Sequence, residues 1–159
     1  MFKKIKDPYV KKTLQAIFIF LVGFILLCVT YLVYATVYNI TDYLVPKEFV
    51  LANSWYESIR MLVVSLALLL GFGFLLKSKL SNIYKAAIMI VPTTIILVVS
   101  GVILYENPLA SYLLGSLMTF TALAYLHLTK QPWYYWFAIA VVAVSLMVVA
   151  MTGVEIQLF

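Results

Sequence analysis

A chain of 159 residues with 65% hydrophobic and 11% charged side chains carries too much apolar surface for a water-soluble domain of this size. Its mean hydropathy of +1.08 predicts that lipid covers much of the molecule. The net charge of +5 is compatible with a nucleic-acid partner, but the positions of the charges along the chain favour a membrane surface instead.

Five apolar segments, separated by charged residues, prolines and aromatic clusters, each approach the ~20 residues that cross a bilayer core as a helix. They cover residues 13–37, 59–76, 86–104, 109–128 and 133–152. We therefore predict an all-α integral membrane protein, a compact bundle of about five transmembrane helices forming one membrane domain over 1–159. The basic start and apolar run of the first segment are features of a signal peptide, but its length and lack of a small-residue cleavage site favour a retained helix.

Basic residues concentrate at the segment ends on one side of this arrangement. Nine lysines and one aspartate give that side a net charge of +8, whereas the other side carries −3. The positive-inside rule then predicts a cytoplasmic N-terminus and a C-terminus outside, in a multi-pass protein. Small size and short loops favour a prokaryotic plasma membrane. The nine lysines are Lys3, Lys4, Lys6, Lys11, Lys12, Lys77, Lys79, Lys85 and Lys130.

The one substantial loop, residues 38–58, is predicted to lie outside. Pro46 is a suitable start for a short helix, since proline is favoured at the first helical position. Apolar and aromatic residues follow it, so we expect this segment to lie along the outer interface and to lead into the second membrane helix.

Small residues recur every four positions on two of the predicted helices. Ala67 and Gly71 share a face of the second helix, and Ser111, Gly115 and Thr119 share a face of the fourth. Such spacing lets two helix backbones approach closely in a membrane. It predicts helix packing, either within the bundle or against another chain.

The most prominent polar set is predicted at the outer surface. Glu57 and Arg60 are three residues apart, so they share a helix face, and Glu106 ends the neighbouring third helix. An arginine one turn inside the membrane needs a carboxylate partner or a route to water. The set therefore predicts either structural anchoring or an outward-facing site for a ligand or partner.

No catalytic, cofactor or metal site is predicted. The only histidine, His127, and the only cysteine, Cys28, are too few for a transition-metal site. Gly71-Phe72-Gly73 lacks the lysine and hydroxyl of a phosphate-binding loop. Pro92, followed by two threonines inside the third segment, predicts a kinked helix that is either structural or a gate.

Three function classes remain open. The first is an accessory or structural subunit of a larger membrane protein complex, with membrane lipids and other membrane subunits as partners and no nucleic acid. It is favoured because the membrane core is uncharged and small-residue faces are present. The second is a small transporter, channel or lipid-handling protein that uses the outer polar site. The third is an outer-face enzyme acting on lipid headgroups, which lacks a recognisable nucleophile or metal.

Overall fold

The computed structural model describes residues 7–53, 55–104 and 106–152, and in these ranges the chain forms six α-helices. In chain order they are α1 (Pro8–Leu44), α2 (Lys47–Ala52), α3 (Trp55–Lys77), α4 (Asn82–Ile103), α5 (Pro108–Leu128) and α6 (Trp133–Thr152). Four helices, α1, α3, α4 and α5, are long and apolar enough to cross a membrane, and α6 is apolar over the shorter stretch Trp133–Val149. The predicted all-helical bundle with membrane-spanning helices is confirmed at this level, while the fifth span and the orientation stay predictions.

Two of the long helices begin with a side-chain cap and a proline. The Asp7 carboxylate accepts the backbone N–H of Tyr9 at 2.8 Å, and the Asn107 side chain accepts that of Ala110 at 3.2 Å. In each case the next residue is a proline, whose missing N–H is no loss in the first turn. The sequence therefore sets the starts of α1 and α5 locally.

The first helix is longer than its predicted segment. It continues to Leu44 and ends at Val45, whose extended backbone is the conformation favoured before a proline, here Pro46. Residues 38–44, predicted as the first part of an outer loop, are helical because neither glycine nor proline interrupts the chain before that point.

The short helix expected after Pro46 is present as α2. Its Phe49 ring packs edge-to-face on Trp55 and Tyr56, with ring centroids 6.4 and 5.8 Å apart. These contacts join α2 to the first turn of α3. The predicted outer loop therefore consists largely of helix in the described residues.

The fourth helix is the centre of the bundle, since it packs against α1, α3, α5 and α6. Ala86, Ala87 and Val91 are fully buried, and Ile90 is nearly so. The two alanines allow the neighbouring helices to approach the α4 backbone closely. The main hydrophobic cluster forms here, together with Ile19 of α1 and residues of α6.

The closest helix approach occurs at Gly23 of α1, which packs against Ile90 of α4. A Cβ atom built on Gly23 would overlap the end of the Ile90 side chain and lie 3.3 Å from its Cβ and Cγ1. The small-residue spacing that singles out Gly71 and Gly115 does not identify Gly23, because no small residue lies four positions away on either side.

The helix α4 continues through Pro92. Thr93 and Thr94 direct their hydroxyls back to the carbonyls of Met89 and Ile90, each at 2.8 Å. Hydroxyls bonded in this way present little polarity to the surroundings of α4.

The hairpin predicted between the last two membrane segments forms over residues 129–132. Lys130 adopts a φ of 50°, the left-handed conformation that reverses the chain after α5. Its N–H donates to the His127 carbonyl at 3.1 Å. A continuous helix through this region is therefore excluded.

The helix directions bring charges of one sign together. Phe18 of α1 contacts Tyr84 of α4 with ring centroids 5.3 Å apart, and Gly23 lies against Ile90 further along both helices, so α1 and α4 run parallel. The helix α3 is antiparallel to α4, since its end lies near the start of α4 and its first half near the end of α4. We call one end of the bundle the basic end; it carries Lys11, Lys12, Lys77, Lys79, Lys85 and Lys130. The opposite end carries the acidic residues Asp42, Glu48, Glu57 and Glu106 together with Lys47 and Arg60. Lys3, Lys4, Lys6 and Glu155, which also entered the charge pattern, lie outside the described residues.

Candidate functional site

The strongest polar site in the described residues surrounds Arg60, one turn into α3. Its side chain is only 8% exposed. The Nη1 group donates to the Thr41 hydroxyl at 3.1 Å and forms an ion pair with the Asp42 carboxylate. Both partners lie in the last turns of α1, so this cluster joins the ends of two antiparallel helices.

Aromatic rings enclose the guanidinium. Its central carbon lies 4.0 Å from the ring centroid of Tyr38 and 5.4 Å from that of Tyr56. Tyr34 stacks on Tyr38 at 4.5 Å and donates its hydroxyl proton to the Tyr38 oxygen at 2.8 Å. The charge is therefore stabilised by a carboxylate and two ring faces rather than by bulk water.

One part of the guanidinium has no polar partner. The Arg60 Nε atom is buried and makes no hydrogen bond within the described residues. Such an arrangement is costly to disturb, because loss of the Asp42 carboxylate would leave a largely buried charge. The geometry therefore supports the anchoring alternative for Arg60.

The predicted outer site of Glu57, Arg60 and Glu106 stays a prediction, and the structure adds Asp42 as a partner of Arg60. Glu57 and Glu106 are exposed, and the ion pair found for Arg60 among the described residues is with Asp42, which is 56% exposed. The approach of Glu106 to Arg60, expected because the second and third predicted helices are antiparallel, stays a prediction. Once the helix runs to Leu44, Asp42 reaches Arg60 from α1.

Sequence reasoning did not assemble the α1 side of this cluster, although a signal for it exists. Tyr34, Tyr38, Thr41 and Asp42 recur at the spacing of one helix face, which is recognisable once α1 is extended. The loop predicted over residues 38–58 begins at Tyr38, so it separates Tyr34 from the other three residues of this helix face.

The two predicted small-residue faces have different environments. On α3, Ala67 and Gly71 are exposed, and no atom lies within 4 Å of a Cβ built on Gly71. On α5, Ser111, Gly115 and Thr119 are half-buried. The α5 face is thus less exposed than the α3 face, although no atom of a neighbouring helix lies within 4 Å of a Cβ built on Gly115 either.

Two adjoining apolar recesses along α4, which we together call the groove, are bounded by α3 and, over part of their length, by α5 and α6. Its larger part has a volume of about 300 Å³ and is lined by Leu76, Pro92, Thr93 and Ala122 among others. A smaller recess of about 200 Å³ between α3 and α4 shares Ile96 with it. The predicted Pro92 segment therefore faces a recess.

The geometry offers no recognisable metal centre. In the described part of the chain, no group of three His, Cys, Asp or Glu residues is placed to hold an ion. His127 instead packs edge-to-face on Trp136, with ring centroids 6.1 Å apart. The expectation that the protein needs no metal or cofactor remains a prediction.

The fold and the site together define a helical bundle with four candidate membrane-spanning helices, in which a buried Arg60 pairs with the partly exposed Asp42 between two helix ends. Comparison with known protein families, curated proteins and solved structures gives no match. The functional argument therefore relies on the chemistry of the described residues.

Proposed function

We propose that this chain is a five-span membrane protein that serves as an accessory subunit of a larger membrane protein complex. Another membrane-embedded subunit would pack on the open face of α3 that contains Ala67 and Gly71, which we call the α3 small face. Its cytoplasmic N-terminus and outside C-terminus follow from the charge distribution.

The observation that carries the proposal is the unused space at Gly71. Glycine in a helix lowers helix stability by about 1 kcal/mol relative to alanine. In a membrane helix this loss is offset where the missing side chain lets a neighbouring helix pack closely. No atom of a neighbouring helix lies within 4 Å of a Cβ built on Gly71, which is also true of Gly73 and Gly115, whereas Ile90 fills the space over Gly23. A helix from another subunit would account for the glycine and gain close backbone packing.

The Arg60 cluster supports the same role. A charge enclosed by Tyr38 and Asp42 holds the end of α1 against α3 and so gives α3 a fixed position. This arrangement favours a rigid scaffold over an outward-facing vestibule, which would require an accessible guanidinium. The transporter and enzyme alternatives therefore rank below the subunit role.

The test is substitution of Gly71 with leucine, followed by native purification in a mild detergent. We expect the variant to lose stoichiometric membrane partners, because the leucine fills the contact surface. The matched control is Ala124→Leu, a similar increase in size at an exposed position of α5 away from its small-residue face. Native mass spectrometry should show the complex for wild type and the control, and a lone chain for Gly71→Leu.

A wild-type chain that is monodisperse and partner-free under these conditions would contradict the subunit proposal. So would a Gly71→Leu variant that retains its partners at the wild-type ratio. Thermal unfolding of the isolated variant distinguishes loss of a partner from loss of the fold.

The orientation is tested separately by cysteine labelling. In a Cys28→Ser background, Lys79→Cys and Glu106→Cys place single thiols at opposite ends of the bundle. A membrane-impermeant maleimide applied to intact cells should label the cysteine at 106 and leave the one at 79 unlabelled until lysis. The reverse pattern would overturn the proposed direction.

A further inference from the structure

We propose that the groove over Pro92 binds one acyl chain of an anionic phospholipid, with the phosphate of the lipid at the basic end beside Lys77 and Lys85. This inference rests on the groove and the lysines and is independent of the subunit role, which concerns the α3 small face.

The length of the groove fits one acyl chain. Along α4 its lining extends from Met89 to Ser100, which is about 16 Å at the helical rise per residue. This is about half of the ~30 Å hydrocarbon core, the depth that one leaflet contributes. An acyl chain that enters the groove from the basic end would therefore fit over most of its length.

The lining favours hydrocarbon over a polar ligand. The hydroxyls of Thr93, Thr119 and Ser100 donate to carbonyls of their own helices at 2.7–2.9 Å. They are thus already satisfied, and most of the remaining surface is aliphatic. The helices α3 and α5 both pack on α4 but have little contact with each other, so the part of the groove that they line is not closed by direct packing of α3 on α5.

Charge complementarity identifies the headgroup end. Leu76, which lines the groove, is followed directly by Lys77 at the end of α3. Lys85 lies one turn before Met89 on the same face of α4, so it stands where the groove approaches the basic end. The far end of the groove instead approaches the acidic end of the bundle. A lipid with a negative phosphate is therefore oriented with its headgroup at Lys77 and Lys85.

The experiment measures retained lipid by native mass spectrometry. Full-length protein is reconstituted in vesicles of equal parts phosphatidylglycerol and phosphatidylcholine and then released into mild detergent. We expect wild type to retain one lipid and to favour phosphatidylglycerol. Lys85→Gln should reduce that preference about fivefold, whereas Lys12→Gln, at the same end on α1, should not change it.

The proposal that the groove binds the acyl chain is tested by Ala122→Phe, which fills the groove. The matched control is Ala124→Phe on the exposed side of α5. We expect the first variant to lose the retained lipid with either headgroup and the second to keep it. Thermal unfolding of both variants verifies that each is folded; if Ala122→Phe is not, the milder Ala122→Leu replaces it.

Lipid retention by folded Ala122→Phe at the wild-type level would overturn the proposal. Equal retention of both lipids by wild type would overturn the assignment of an anionic headgroup. Conversion of a wild-type dimer to a monomer by Ala122→Phe, without any change in lipid, would show that a second copy occupies the groove instead.

Discussion

Replacement of Gly23 with leucine is expected to lower the free energy of unfolding by about 1–3 kcal/mol, the usual cost of overpacking a filled core. The reason is the contact between α1 and α4, where even a Cβ atom would meet Ile90. Because Ile90 belongs to the central cluster, its displacement would disturb the packing of that cluster. The change in the free energy of unfolding is measured in mixed micelles by raising the mole fraction of a denaturing detergent.

The matched control is Gly71→Leu, the same change on α3, where the space over the glycine is open. In the isolated chain it should leave stability unchanged or raise it slightly, since leucine is the better helix former. Adding Ile90→Ala to Gly23→Leu should recover part of the loss. If both glycine variants lose stability equally, the α1–α4 contact is not as close as described.

Replacement of Asp42 with asparagine is the second substitution with a large expected effect. It removes the carboxylate from Arg60, whose side chain is over nine-tenths buried, and leaves a positive charge among tyrosine rings. We expect a loss of about 1–2 kcal/mol, the contribution of a charge-assisted hydrogen bond reduced for the partial exposure of Asp42. The same unfolding measurement applies.

Substitution of Arg60, the other member of the ion pair, should lower the free energy of unfolding less than Asp42→Asn. Arg60→Met removes the buried charge and leaves Asp42 with access to water, so the penalty of an unpaired buried ion does not arise. The double variant should resemble Arg60→Met alone, and Glu57→Gln serves as the control at an exposed acid. A larger loss for Arg60→Met than for Asp42→Asn would refute this account of the cluster.

The ends of the helices show how far local sequence information reaches. Asp7 with Pro8, Pro46, and Asn107 with Pro108 fix helix starts through short-range capping and through the missing proline N–H. The helix α1 extends beyond the predicted apolar segment because hydropathy marks the apolar part of a helix and not its hydrogen-bonded extent. Polar residues at 39, 41 and 42 lower the hydropathy while the helix continues to Leu44.

The extension of α1 to Leu44 places Asp42 on that helix, where it pairs with Arg60 in the candidate site. Which carboxylate meets Arg60 depends on how α1 and α3 lie side by side, a property of two segments that no local pattern contains. The same is true of glycine: spacing singled out Gly71 and Gly115, while the close approach occurs at Gly23 because α4 places Ile90 there.

Composition, hydropathy and the lack of hydrogen-bond partners for an unfolded backbone in lipid were enough to predict apolar helices suited to a membrane. They also predicted the approximate bounds of α3, α4, α5 and α6 and the helix ends that carry the lysines. The central position of α4, the pairing of Asp42 with Arg60 and the groove beside Pro92 could be seen only in the folded molecule. These depend on contacts between residues distant in the chain, where the shape and packing of several helices act together.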